Sequence, residues 1–317
     1  MRIVSYLALL VLFSGPAFAQ DYAGKKILWI DAYHQGYGWS DGIEEGIRSA
    51  VEGSGAELKV HRMDTKRNTS EEFIVNAADE AKAVIEEYGP DIVIASDDNA
   101  SKHLVVKYYK DADLPIVFNG VNWSVEEYGY PFSNVTGMIE VNAAGELVDI
   151  LLSMADGDRI GYLTSDVITE KKDIDNTRKV FDFEFEDKLV KTMDQWKEAF
   201  KEFQNKYDVV VLQNNSGIND WDEDEAARFA EAHTKVPTGS FYDWMAPYSL
   251  VVYGKVAQEQ GEYAVKTAFE ILDGKKPGDI PLVTNERGQI FINAKIAESA
   301  QIEVPAELIE AADTIIE

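Results

Sequence analysis

The chain has 317 residues, with 57 acidic against 30 basic side chains and a formal net charge of −27. A surface this negative repels phosphate, which argues against nucleic acid and anionic lipid as partners. Cysteine is absent, so disulfides, thiolate nucleophiles, cysteine-ligated metals and a cysteine-borne lipid are all excluded.

In chain order, Met1-Arg2 makes a short positive start, Ile3 to Phe13 an apolar run broken by Ser5, and Ser14-Gly15-Pro16 its end. Ala17-Phe18-Ala19 is the small-x-small pattern a signal peptidase reads, so residues 1–19 are expected to be a signal peptide cut before Gln20. The run falls short of the roughly 20 residues a membrane span needs. The expected location is the periplasm, with no lipid anchor.

Short β-branched runs then alternate with Ala/Glu/Lys-rich helical segments, the signature of an α/β fold with parallel sheets. Lys26 to Ile30 is a first strand, followed by a loop to Trp39 and a helix to about Glu52. Glu57 to Arg62 is the second strand. Ser70 caps a helix that runs to Tyr88, where Gly89-Pro90 stops it. Asp91 to Ala95, Pro115 to Phe118 and Asn134 to Ile139 are further strands, and Asn142 to Met154 is helical. A new strand series runs through Arg159 to Thr164, Val209 to Leu212 and the stretch around Gly239-Ser240. The mixed-charge segment 171–188 reads as a solvated helix and strand edge. Gln260 to Leu272 is a helix closed by Asp273-Gly274.

An internal repeat organises these elements. Residues 90–100 align with 207–217: each has an Asp, a buried-type strand, then a cluster of Asp or Asn. The next strands follow in both copies, Leu114-Pro115 leading to Asn122-Trp123 and Val236-Pro237 to Asp243-Trp244. Two related Rossmann-like lobes explain the repeat; one large sheet is the competing arrangement. Ligands of open parallel sheets sit beyond the carboxyl ends of the strands. That singles out the loops 31–39, 96–99, 119–123, 165–166, 213–216 and 242–244.

These loops carry a binding vocabulary. Tyr33, Tyr37 and Trp39 can stack on a planar or apolar ligand, and His34 either joins them or is satisfied by backbone. Asp97 and Asp98 can cap the following helix, 100–109, contact a ligand, or hold a metal or a shared proton. Asn119, Asn122 and Trp123 from one lobe match Asn214, Asn215, Tyr242, Asp243 and Trp244 from the other, as apolar walls with a few convergent hydrogen-bonding groups. With Ser96 and Ser165 at strand ends, these make the expected ligand-binding set. The histidines at 34, 61, 103 and 233 lack zinc-site spacing, and Gly36-Tyr-Gly38 lacks a phosphate-binding lysine or the dinucleotide spacing, so neither metal nor cofactor is expected. No nucleophile elbow occurs, and an enzyme is the least supported reading.

At these residues the sequence resembles the ABC-transporter substrate-binding family of the type I periplasmic-binding-protein fold, in its branch of aromatic and branched amino-acid binders. The resemblance lies in Tyr33-His-Gln-Gly-Tyr37, Ala95-Ser-Asp-Asp-Asn99, Val117-Phe-Asn-Gly-Val-Asn-Trp123 and Asn134-Val-Thr-Gly137. It continues through Glu259-Gln-Gly-Glu-Tyr263, Ile271-Leu-Asp-Gly-Lys275, Ile280-Pro281 and Ile292-Asn293. It implies two lobes joined by three crossings that close on ligand like a hinge. Lobe one would be 20–139 plus 250–280, and lobe two 140–249 plus 281–317. It also implies a monomer that delivers a small solute to an ABC permease of the inner membrane. The same fold can instead present its solute to a receptor such as a histidine kinase. The cleft loops depart from the better-known amino-acid binders in lacking arginine. Asp97, Asp98, Asp166 and Asp243 favour an amine-bearing ligand.

Overall fold

The fold is described from a computed structural model over residues 22–181, 183–215, 217–218 and 220–317; the expected signal peptide lies outside the described residues. The strands are β1 (Lys26–Asp31), β2 (Glu57–Arg62), β3 (Ile92–Ser96), β4 (Ile116–Asn122), β5 (Val135–Glu140), β6 (Ile160–Ser165), β7 (Phe185–Val190), β8 (Val209–Leu212), β9 (Thr238–Ser240), β10 (Val251–Lys255), β11 (Val283–Thr284), β12 (Gly288–Asn293) and β13 (Thr314–Ile316). They form two sheets, ordered β11-β5-β4-β3-β1-β2 and β13-β12-β10-β9-β8-β6-β7. All pairings between these strands are parallel except β10 with β12.

The central strands read as apolar runs because helices cover both faces of each sheet. Side chains alternate along β1: Ile27 and Trp29 pack with Ile43, Ile47, Ala264, Val265 and Ala268 on one face. Leu28 and Ile30 pack with Ala77, Ala78 and Leu104 on the other. The second sheet has its own core around Tyr162, Phe200, Phe203, Val210 and Val251. The alternative of one large sheet is thereby excluded. The internal repeat is visible in the topology. The order β2-β1-β3-β4-β5 recurs as β7-β6-β8-β9-β10, so β3 and β8 occupy equivalent places, as do β4 and β9.

Ser70 accepts from the Phe73 amide to open helix Glu71–Tyr88, and Gly89 ends it in a left-handed conformation. The helix expected from residue 100 already begins at Asp97 and runs to 108, widening by one residue per turn over Ser101–Val105. The segment 171–188 departs from expectation. It does contain a helix, Ile168–Val180, and β7, but Glu170, Asp173, Ile174 and Thr177 are buried, because this face of the helix packs on its own lobe, where Thr164 and Tyr162 of β6 bond to Glu170 and Asp173, and Trp123 of the first lobe reaches Asp173.

The lobe boundaries also need correction. Val251–Lys255 is β10 and pairs with β9 and β12, so it belongs to the second lobe rather than the first. Val283–Thr284 pairs with β5, so it belongs to the first rather than the second. Among the described residues the chain therefore crosses between the sheets near 141–143, at 256 and at 285–287. The crossings are tied to one another. The Asn285 side chain accepts from the Val141 amide (2.8 Å) and donates to its carbonyl (3.1 Å). Glu259 accepts from the backbone amides of Glu286 and Arg287. Lys255, the last residue of β10, forms an ion pair with Glu140, the last residue of β5.

Helix Ala257–Leu272, which follows the second crossing, is docked on helix Gly38–Val51 by backbone contact. A Cβ on Gly261 would overlap the Ile43 carbonyl and the Ile47 amide, and one on Gly46 would overlap the Gln258 carbonyl. Backbone cannot yield as a side chain can, so Gly261→Ala is expected to lower the unfolding free energy by about 3 kcal/mol. Urea denaturation followed by circular dichroism checks this; an unchanged midpoint would show that the helices separate without cost.

Candidate functional site

Each lobe reverses its strand order between two neighbouring strands, β1 and β3 in the first and β6 and β8 in the second. Such a switch point leaves a crevice at the carboxyl ends, because the flanking connections leave to opposite faces. In the first lobe Asp31, Ser96 and Asn119 lie in register along this edge. Asp31 is fully buried and satisfied, accepting from the Tyr33 amide, from Ser40 Oγ (2.9 Å) and from Arg62 Nη1 (2.6 Å). Ser96 accepts from Trp29 Nε1 at 2.7 Å, and Asn119 donates to the Gln260 carbonyl at 3.1 Å. Ser96 thus braces the sheet edge, whereas Asn119 does so through Nδ2 alone and its Oδ1 is buried without a partner.

Asp97 is different. It is 1 % exposed, has φ 73°, and its Oδ2 has no hydrogen-bond partner. Gly120 (φ 66°) leaves room for it: a Cβ there would stand 3.0 Å from Asp97 Oδ1. A non-glycine residue in the left-handed region costs of order 1–3 kcal/mol and persists where surrounding structure imposes it, often at functional sites. Burial first, then the charges of Glu140, Asp31 and Asp98, push the Asp97 carboxyl well above its ordinary range, with Lys66 opposing.

Asp98 is engaged on its own lobe, accepting from Asn122 Nδ2 (2.8 Å) and the Tyr128 hydroxyl (2.6 Å). Tyr33 and Tyr37 meet edge to face at 5.5 Å, and Lys66 Nζ lies 4.7 Å and 4.9 Å from their ring centroids. His34 lies beside Asp64, with Nδ1 3.6 Å from its Oδ1, and next to the Tyr37 ring. Trp39 faces Lys255 at 5.0 Å.

In the second lobe, Asn214 Nδ2 donates to Glu170 Oε1 (3.1 Å), and Thr164 Oγ1 donates to Glu170 Oε2 (2.7 Å). Ser165 Oγ and both side-chain polar atoms of Gln213 are buried without a partner. Asn215 is half-buried at the same edge. Tyr242 stacks on Trp244 at 4.5 Å, with Lys255 Nζ 5.8 Å from the Tyr242 ring. Trp244 is 45 % exposed and Asp243 is exposed, bonding to the Trp244 amide. Asp166 is ion-paired to Lys171 and Lys191, so it offers no free charge to a ligand.

Trp123, held at φ 63°, joins the lobes by donating from Nε1 to Asp173 Oδ1 at 3.1 Å. Asp173 also accepts from Asn142 Nδ2 (2.6 Å) and the Tyr162 hydroxyl (2.5 Å). Burial pushes Asp173 up despite these donors, and it pushes Glu140 up despite Lys255. Tyr37 of the first lobe and Tyr242 of the second feel the same charges, Glu140 and Glu170. The edges of both sheets thus converge on one buried cluster of acidic and aromatic side chains.

Sequence reasoning did not single out Glu140, Glu170, Asp173, Lys255 or Lys66; Gln213 lies in the expected loop 213–216, although it was not among the expected ligand residues. Glu170, Asp173 and Thr177 recur at helical spacing, but a polar stripe in the sequence does not by itself tell an inward face from a solvated one. Among the described residues, no three histidine or acidic side chains gather to hold a metal ion, and no helix is long and apolar enough to cross a membrane.

Glu170 carries a pH prediction. Burial, then the charge of Asp173, lifts its carboxyl to about 7. A raised folded-state value favours folding at low pH, and that stabilisation is lost as pH rises from the ordinary value through about 7. Glu170→Gln is expected to be worth about 3 kcal/mol more at pH 8 than at pH 4.5, relative to wild type. Urea midpoints at both pH values test it, and a gain independent of pH would contradict it.

The sequence profile described as ABC transporter substrate binding protein matches residues 37–316. A search of the curated proteins finds no match. Among solved structures, a ligand-free, open substrate-binding protein with adhesive properties from Clostridium difficile superposes with a TM-score of 0.71 at 16% identity, covering 92% of this chain and 99% of its own. An ABC domain in complex with L-Trp from Streptococcus pneumonia gives 0.60 at 18% identity, with the same coverage. A periplasmic ribose ABC transporter protein from Conexibacter woesei gives 0.58 at 14%, covering 93% and 99%.

Proposed function

Because the chain belongs to the ABC transporter substrate-binding protein family, we propose that it captures a small organic solute between its lobes in the periplasm and hands it, as a monomer, to an inner-membrane ABC permease. Substrate-binding proteins of this kind bind and release their solute without transforming it. What supports the reading is the convergence of two switch-point edges on one acidic, aromatic cluster, with unpartnered buried groups on both sides: Asp97 and Asn119 on the first lobe, Ser165 and Gln213 on the second. Buried polar atoms without partners are costly, and a ligand that supplies the partners repays that cost. Tyr33, Tyr37, Trp39, Trp123 and Tyr242 add apolar walls suited to an aromatic skeleton, such as the indole of the L-Trp bound by the Streptococcus neighbour.

A solute that binds only the folded protein must raise its stability by linkage. Thermal denaturation in the presence of amino acids, amines, sugars and small aromatic compounds is expected to single out one class, with a shift of about 5 °C at a hundredfold excess over Kd. Mass spectrometry of a co-purifying small molecule would name the solute. No shift from any class would overturn the reading.

A further inference from the structure

We infer that Asp97, Tyr33 and Tyr37 form an ammonium subsite, and that the solute of this cleft is an organic amine of net positive charge rather than a zwitterionic amino acid or an acid. This rests on the solute-binding reading and deepens it.

The first argument is a count of partners. Of the carboxylates at the first-lobe edge, Asp31 is paired with Arg62, Asp98 is taken by Asn122 and Tyr128, and Glu140 is paired with Lys255. Asp97 alone among these four has a buried oxygen with no partner, 1 % exposed, on a backbone that disfavours any residue but glycine. The charges acting on it from neighbouring elements are Asp31, Asp98 and Glu140, all of its own sign, against Lys66. An uncompensated buried carboxylate is costly, and a cation brought by the ligand is the partner that relieves it.

The second argument is that an ammonium group already occupies this wall. The exposed Lys66 sets its Nζ within 5 Å of both tyrosine ring centroids, a cation–π geometry. The chain's own lysine therefore shows that the ring pair accepts an ammonium close enough to act on the Asp97 charge, and a ligand amine would displace it. The third argument is that, among the described residues, the two largely buried cations beside these carboxylates are already paired. Arg62 is spent on Asp31 and Glu44, and Lys255 on Glu140.

The test is calorimetry at pH 7.5 with four probes: tryptamine, cadaverine, L-tryptophan and indole-3-acetate. At least one amine is expected to bind wild type more than tenfold tighter than L-tryptophan, and indole-3-acetate is expected not to bind. Asp97→Asn should weaken the amine about a hundredfold, the scale of losing one partner of a buried charge pair. Its melting temperature should hold or rise, which separates lost recognition from lost folding. Lys66→Met, which removes the competing ammonium, should tighten amine binding severalfold. Binding of neither amine, or an unchanged affinity in Asp97→Asn, overturns the proposal. So does tighter binding of L-tryptophan that is lost in Lys66→Met, since Lys66 would then be the carboxylate's partner. These outcomes leave the solute-binding reading intact; that reading falls only if the broader panel gives no shift.

Discussion

Replacing Lys255 with methionine is expected to lower the unfolding free energy by about 3–5 kcal/mol, the cost of leaving a buried charge without its partner. Lys255 and Glu140 are both nearly inaccessible and end strands of different sheets, so their ion pair spans two of the three crossings. Without the lysine, Glu140 would remain among Asp97 and Asp98, charges of its own sign. The double substitution Lys255→Met/Glu140→Gln should recover most of the loss, because an apolar and a neutral side chain no longer leave a naked charge. The loss should also shrink as pH falls and Glu140, which burial already pushes upward, takes up a proton. Equilibrium urea denaturation of the four proteins of the cycle measures the coupling. A double variant no more stable than Lys255→Met would show that the lysine acts through packing against Trp39 and Tyr242.

Asp173→Ala is the second large effect, about 4 kcal/mol, because it strands three donors that converge on one carboxylate: Trp123 Nε1, Asn142 Nδ2 and the Tyr162 hydroxyl. Asp173→Asn should cost less than half as much, since its amide oxygen can still accept two bonds and the tyrosine hydroxyl can turn to accept one. Trp123 reaches across from the first lobe, so the alanine variant should also part the lobes. Small-angle scattering of the ligand-free protein is expected to show a larger radius of gyration than wild type. An unchanged radius would mean that the ties among Val141, Asn285 and Glu259 hold the lobes together without Asp173.

The repeated order of strands was legible because it rests on local signals. Apolar runs at 92–95 and 209–212, each followed by Asp or Asn, mark equivalent strands whatever surrounds them. The placement of β10 and β11 was not legible. Val251–Lys255 and Val283–Thr284 are short, and which sheet each joins is settled by pairing with distant strands. The strand-end loops did bring Asp97, Trp123, Asn214 and Tyr242 to the converging edges. Ser96 and Asn119 stand at the same edge and bond to Trp29 and Gln260, partners far away in the chain, while Asn119 Oδ1 is left without a partner. Glu170 and Asp173 were hidden for another reason. Hydrophobic periodicity reports burial against an apolar core, whereas their helix buries carboxylates against the hydrogen-bond donors Thr164, Tyr162, Asn214 and Trp123, so the pattern resembles that of a solvated helix.

The glycine-to-backbone contact between helices 38–51 and 257–272 has a bearing on the order in which the chain becomes structured. The two helices are separated by roughly 200 residues, and so long a loop must close before their contact contributes anything. For a chain emerging from its amino end, the apolar face of Ile43 and Ile47 and the first sheet's edge at β5 wait until the second lobe's central strands have already been made. The first lobe begins first and finishes late. Truncation before residue 257 should leave a second lobe with most of its sheet but a first lobe that cannot close.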